Sequence, residues 1–88
     1  MARRTHLDII FDMLLTIQQK GGLIKPTHLL YGANLSHQQL KKYSAELVDK
    51  GFVVVVEKDS DWFQITDKGH LYVKKIRDMR EFEDAFDL

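Results

Sequence analysis

The chain has 88 residues, 44% of them hydrophobic, which suits one packed domain with little stability in reserve and argues against wholesale disorder. It contains no cysteine, which excludes a disulfide framework and a zinc ribbon and suits a reducing, cytoplasmic compartment. No apolar run approaches the roughly 18 residues of a membrane helix, and no apolar signal core follows the basic start Met1-Ala2-Arg3-Arg4. Thirteen Lys/Arg balance thirteen Asp/Glu, but unevenly along the chain. Residues 1–50 hold seven cations and four acids, residues 51–88 six and nine, with the acids gathered in Glu81-Phe82-Glu83-Asp84-Ala85-Phe86-Asp87. Such a split predicts a basic working face and a separate acidic element.

In chain order, Leu7, Ile10, Phe11, Leu14 and Ile17 recur at spacings of three and four, predicting a helix from Thr5 to Lys20, with Thr5 and Asp8 in its first turn. Gly21-Gly22 ends it. Leu23-Ile24-Lys25 is too short for a helix and is read as a brief strand. Pro26 suits the first turn of a short helix over 26–31, where its missing N–H is no loss. Tyr31-Gly32-Ala33-Asn34 forms the turn after it. Ser36-His37-Gln38-Gln39 matches a capping box and opens a helix that Gly51 stops. Leu40, Tyr43, Leu47 and Val48 are expected inward, and His37, Gln38, Lys41, Lys42 and Ala45 outward.

Phe52 to Val56 is β-branched and aromatic and is read as a strand. Asp59-Ser60-Asp61 makes a turn and Trp62 to Ile65 a second strand, together a hairpin. Thr66 caps the last helix, and Gly69 in its first turn lowers helix propensity. Tyr72, Ile76, Met79, Phe82 and Phe86 form an apolar stripe that outruns a small core. The predicted class is therefore α+β, mainly helical. Residues 1–65 form a winged helix-turn-helix core, with helix, strand, helix, helix and then a wing hairpin at 52–65. Residues 66–88 form a C-terminal dimerisation helix with an acidic tail.

In a helix-turn-helix, the second helix enters the DNA major groove and its N-terminal side chains reach base edges. His37, Gln38, Lys41 and Lys42 at the exposed start of helix 36–50 are the candidate readers, since Gln pairs with adenine and Lys reaches guanine or phosphate. Ser36 is the cap. Lys25 and His28, with Lys20 nearby, are candidate backbone contacts. Arg3 and Arg4 are read either as an arm toward phosphate or as a terminus without function. The wing tip, with two Asp and one Lys, reads as a plain turn, and Trp62 as a packing residue. Tyr72, Ile76, Met79, Phe82 and Phe86 are the expected dimer interface. Lys74, Lys75, Arg77 and Arg80 could meet a partner's Glu81, Glu83 and Asp84. His6, His28, His37 and His70 show no metal-ligand spacing. With no Gly-rich phosphate loop and no cysteine to act as nucleophile, neither catalysis nor a metal, cofactor or small-molecule ligand is expected.

Three runs also resemble a known family: Ala33-Asn34-Leu35-Ser36 followed by Leu40 and Tyr43, then Leu47 to Gly51, then Phe63-Gln64-Ile65-Thr66-Asp67-Lys68-Gly69. They resemble the small archaeal winged-helix proteins of the ArnR-like group, which includes chromatin proteins that dimerise through a coiled coil. The resemblance covers nearly the whole chain. It implies double-stranded DNA binding, a homodimer formed through the last helix, and a transcriptional or chromatin role in the nucleoid. Ser44 departs from the pattern, standing where an apolar residue is usual. The neutral net charge and acidic wing keep a second reading open, in which the winged helix binds another protein and no DNA.

Overall fold

A computed structural model describes residues 4–87. The elements run α1 (His6–Gln19), β1 (Leu23–Ile24), α2 (Pro26–Gly32), α3 (His37–Asp49), β2 (Val53–Glu57), β3 (Asp61–Ile65) and α4 (Asp67–Ala85). The three strands form one antiparallel sheet in the order β1-β3-β2, with Ile24 opposite Phe63 and Val53 opposite Ile65. This is the predicted winged helix-turn-helix.

The core is built around α1, which touches α2, the sheet and α4. Met13, Leu14 and Ile17 are fully buried. Burial also takes in Ile9 and Met13, a wider face than the predicted stripe, because α1 is covered on several sides. Thr5 and Asp8 form a full capping box: the Asp8 N–H donates to Thr5 Oγ1 at 3.1 Å, and the Thr5 N–H to Asp8 Oδ2 at 2.9 Å.

Helix α3 ends in a Schellman turn. The Phe52 N–H donates to Leu47 O at 2.9 Å and the Gly51 N–H to Val48 O at 3.0 Å, with Gly51 at φ +76°. Only a glycine takes that backbone angle without strain. Two expectations for α3 are corrected. Val48, expected inward, is exposed, and Ser44 is buried in its stead. One residue's shift is 100° of helix rotation, so the buried face runs through Leu40, Tyr43, Ser44 and Leu47 rather than on to Val48. Ser44 Oγ has no hydrogen-bond partner there, a polar atom where an apolar residue would cost nothing.

The end of α3 is locked to the start of α4. Thr66 Oγ1 donates toward Gly51 O at 2.6 Å and lies 3.1 Å from Phe52 O, while accepting from the Gly69 N–H at 3.1 Å. Lys68 Nζ donates to Lys50 O at 2.7 Å and sits over the Phe52 ring. Gly69 packs directly on this junction, where a Cβ would lie 2.4 Å from Phe52 O and 2.7 Å from Ile65 Cγ1. The glycine that weakens the helix by propensity is thus required by contact.

Helix α4 does not begin as a separate element. Val73 and Ile76 belong to the core, and Tyr72 packs on Phe52 with ring centroids 4.6 Å apart. Ile76, expected at a dimer interface, is 8% exposed within its own chain, so it cannot contribute there as an open apolar surface. Arg80, expected to meet a partner, instead donates to Asp8 Oδ1 at 2.8 Å and lies 4.4 Å from the Phe11 ring centroid. Lys74 likewise pairs with Asp78 of its own helix at 2.8 Å.

Two outcomes are expected. Gly69→Ala forces a methyl against a backbone carbonyl and should lower unfolding stability by about 2–3 kcal/mol in urea denaturation. The Asp8 carboxyl is held below its ordinary value, first by the Thr5 N–H, then by the Thr5 hydroxyl and Arg80, with burial opposing. A depressed folded pKa means stability that is present above the unfolded value of 3.8 and lost as pH falls below it. Asp8→Asn should therefore flatten the fall in stability with pH below about 4, measured by thermal melts across that window.

Candidate nucleic-acid interface

Helices α2 and α3 form the helix-turn-helix. Its turn depends on Asn34 at φ +54°, a left-handed position that Asn tolerates, with the Leu35 N–H donating to Leu30 O at 2.8 Å. Ser36 then starts α3: its Oγ accepts from the Gln39 N–H at 3.1 Å, and the Gln39 side chain returns a bond to the Ser36 N–H at 3.0 Å. The Ser36 hydroxyl is occupied by the cap, so its part is to set the helix start.

The exposed face of α3 carries His37, Gln38, Lys41, Lys42 and Ala45, all on the side away from the core. No acid occurs between His37 and Ala45. Among the described residues, neither Lys41 nor Lys42 makes an ion pair, unlike Lys50, whose ammonium is 3.2 Å from Glu46. Lys42 extends over the Tyr43 ring at 5.3 Å. An open concavity of about 530 Å³ runs beside this face, lined by Ser36, Gln38, Gln39, Lys42 and Tyr43. The opposite flank of α3 is tied down: Glu46 bonds both Lys50 and His6, and the His6 ring packs near Tyr43. These partners hold the Glu46 carboxyl below its ordinary value against the upward push of its burial.

The other expected contacts divide. His28 is exposed near the start of α2, in the same helix-turn-helix as the α3 face. Lys25, at the N-cap of α2, lies 5.1 Å from the Trp62 ring centroid, and Lys58 lies 5.4 Å from the same ring. Asp59 accepts from Trp62 Nε1 at 3.4 Å and is held below its ordinary pKa first by that bond. Trp62 of the wing thus gathers Lys58 of the hairpin and Lys25 of the α2 N-cap on one ring, a cluster not evident in the sequence because Lys25 is distant along the chain. Arg3 lies outside the described residues. Arg4 is not an arm: it donates to Ala33 O at 2.7 Å and Asn34 O at 2.6 Å and pairs with Asp12 at 3.3 Å. Its guanidinium satisfies carbonyls at the end of α2 and so braces the turn before α3.

Among the described residues no three His, Cys, Asp or Glu side chains are placed to hold a metal. None of the described helices is long and apolar enough to cross a membrane.

A helix-turn-helix followed by a hairpin wing defines the winged-helix class. The chain belongs to the winged helix-turn-helix family, whose model matches residues 3–84. It is 30% identical over 77 residues to the uncharacterized protein MJ0290 of Methanocaldococcus jannaschii, a match over 88% of this chain and 34% of that one. It thus spans about a third of the length of that relative. Among solved structures it is similar to Sso10a-2, a DNA-binding protein from Sulfolobus solfataricus. That match has a TM-score of 0.81 at 26% identity, covering 94% of this chain and 85% of that one. F93 from STIV, a winged-helix DNA-binding protein, shares the fold with a TM-score of 0.76 at 15% identity, over 92% of each chain.

Arg4→Ala should cost about 1–2 kcal/mol in unfolding stability. It should also speed amide hydrogen exchange at Asn34 and Leu35, leaving exchange in α1 slow.

Proposed function

We propose that the protein binds double-stranded DNA as a homodimer, as a transcriptional regulator or chromatin protein of the nucleoid. Helix α3 lies in the major groove. The observation that carries this reading is the α3 face itself: two turns bearing His37, Gln38, Lys41 and Lys42, exposed and without an opposing carboxylate. Gln38 and His37, nearest the helix start, face base edges, and Lys41 and Lys42 neutralise phosphates or reach guanine. His28 and Lys25 flank them from α2, and Lys58 reaches toward phosphate from the wing. The likeness to Sso10a-2 supports the same reading.

The zero net charge does not oppose it, because binding depends on where charge lies. The acids of the C-terminal segment sit on the exposed end of α4, at the far end of the chain from the reading helix. A homodimer doubles the phosphate contacts and can present two α3 helices to half-sites, which a two-fold operator places roughly 34–36 Å apart. Met79, Phe82 and Phe86, exposed on α4, are its apolar surface, with Tyr72 half-buried at their edge.

Anisotropy of a labelled duplex, titrated at several salt concentrations, tests the reading. Binding should weaken steeply with salt, and Lys41→Glu with Lys42→Glu should reduce affinity by roughly tenfold or more and flatten the slope. Undiminished binding by that double variant would remove α3 from the interface. No binding at low salt would leave the fold as a protein-interaction module.

A further inference from the structure

The sheet has one face in the core and one open face. Ile24, Val53, Phe63 and Ile65 share the inner face, as their cross-strand pairing and their place in the core show. Strand alternation puts Leu23, Val54, Val56, Trp62 and Gln64 on the outer one. None of these outer residues is charged. The hairpin's strand acids are kept off that face, because Glu57 and Asp61 pair with each other on the inner side, where both are exposed.

Trp62 lies on the central strand of this outer face and outside the hydrophobic core, unlike its neighbour Phe63. Lys25 and Lys58, the residues that follow β1 and β2, bring their ammonium groups to 5.1 and 5.4 Å from its ring centroid. Asp59 accepts from Nε1 at the edge of the ring, at 3.4 Å, and leaves the ring faces to the lysines.

We propose that this outer face is a binding site for single-stranded nucleic acid, with an unpaired base stacked on Trp62 and the flanking phosphates held by Lys25 and Lys58. The site goes beyond the duplex reading above and does not rest on α3. The flat face of a base is open to an aromatic ring only where the strand is unpaired, and a duplex hides it. An aromatic ring with a cation to each side of it in the chain matches the alternation of base and phosphate along a single strand. Contacts between an ammonium and an exposed ring are weak, so Lys25 and Lys58 leave the ring for phosphate as the base takes their place. Val54, 45% exposed, and Val56 extend the apolar floor along the adjoining strand. Exposed Gln64 offers both a donor and an acceptor to a base edge. With its carboxylates on the inner side or at the ring edge, the face does not repel a phosphate backbone.

Trp62 is the only tryptophan in the chain, so its emission reports the site directly. Oligothymidylate and oligouridylate of about twelve nucleotides are each titrated into the full chain at low salt. The expected result is saturable quenching of Trp62 that is lost as salt rises. Tighter binding of one strand than the other names DNA or RNA as its source, and either supports the proposal. Equal quenching by an abasic strand of the same length would overturn it, leaving two lysines that meet phosphate without a stacked base. Binding seen by anisotropy of a labelled strand with no change in emission would overturn it by placing the strand elsewhere, and no binding at low salt would end it. Trp62→Leu, which keeps an apolar side chain outside the core, should weaken single-strand binding by roughly fivefold to a hundredfold. Unchanged affinity in that variant would equally rule out the stacked base. The wild-type quenching needs no substitution and decides the question even if the variant fails to fold. No duplex enters these titrations, so their outcome stands apart from that of the α3 experiment.

Discussion

The close contact of Gly69 with the Phe52 carbonyl organises the rest of this small domain. Around it, Thr66 donates to the last carbonyls of the α3 turn and caps α4, and Lys68 reaches back to Lys50 O. The end of α3, the start of the wing and the start of α4 therefore meet at one point. The cost in helix propensity of a glycine near the N-terminus of α4 is about 1 kcal/mol. Any larger residue there would force the sheet and α4 apart and open the core at Ile65 and Val73.

That junction fixes one end of α3, and Arg4 braces the other through the α2–α3 turn. Between these anchors Leu40, Tyr43, Ser44 and Leu47 face inward, which leaves the His37-Gln38-Lys41-Lys42 side to solvent. A helix held at both ends by backbone contacts presents its outer side chains in a defined frame, which base-edge recognition requires. The balanced net charge is no obstacle, since screening at physiological salt limits the reach of exposed charges to about 8 Å. Local composition on α3 therefore weighs more than the net charge of the chain.

Helix α4 carries two stripes. Gly69, Val73, Ile76 and Arg80 face α1 and the sheet, with Arg80 joined to Asp8 and laid on Phe11. Lys68, Leu71, Tyr72, Lys75, Met79, Phe82 and Phe86 face outward or sideways, rotated by roughly a third of a turn. One helix thus closes the domain and offers a second surface. The sequence merged the two faces into a single stripe, because Ile76 stands four residues from Tyr72 and three from Met79, which in turn stands three from Phe82. Periodicity reports that apolar residues are close together on a helix and says nothing of which neighbour covers them.

Much of the fold was legible in local chemistry. Ser36 caps α3 through the box its spacing to Gln39 implies, Thr66 caps α4, Thr5 and Asp8 mark the start of α1 with Thr5 one residue outside the helix, Gly51 ends α3, and the valine run pairs as a strand. The outward residues of α3 were legible too, since a capping box fixes the helix start and so the phase of every turn after it. These signals act within a few residues, where backbone hydrogen bonding and sterics leave few choices. What only the tertiary structure decided depends on residues far apart in the chain. Arg4 finds carbonyls some thirty positions on, Arg80 finds Asp8, and Lys25 joins Lys58 on Trp62. Long cationic side chains can satisfy themselves in many ways, and only the packing of one element against another selects among them. Burial of Ile76 and exposure of Phe82 were settled by where α1 begins beneath α4, at Asp8 and Phe11 under Arg80, which no local pattern encodes.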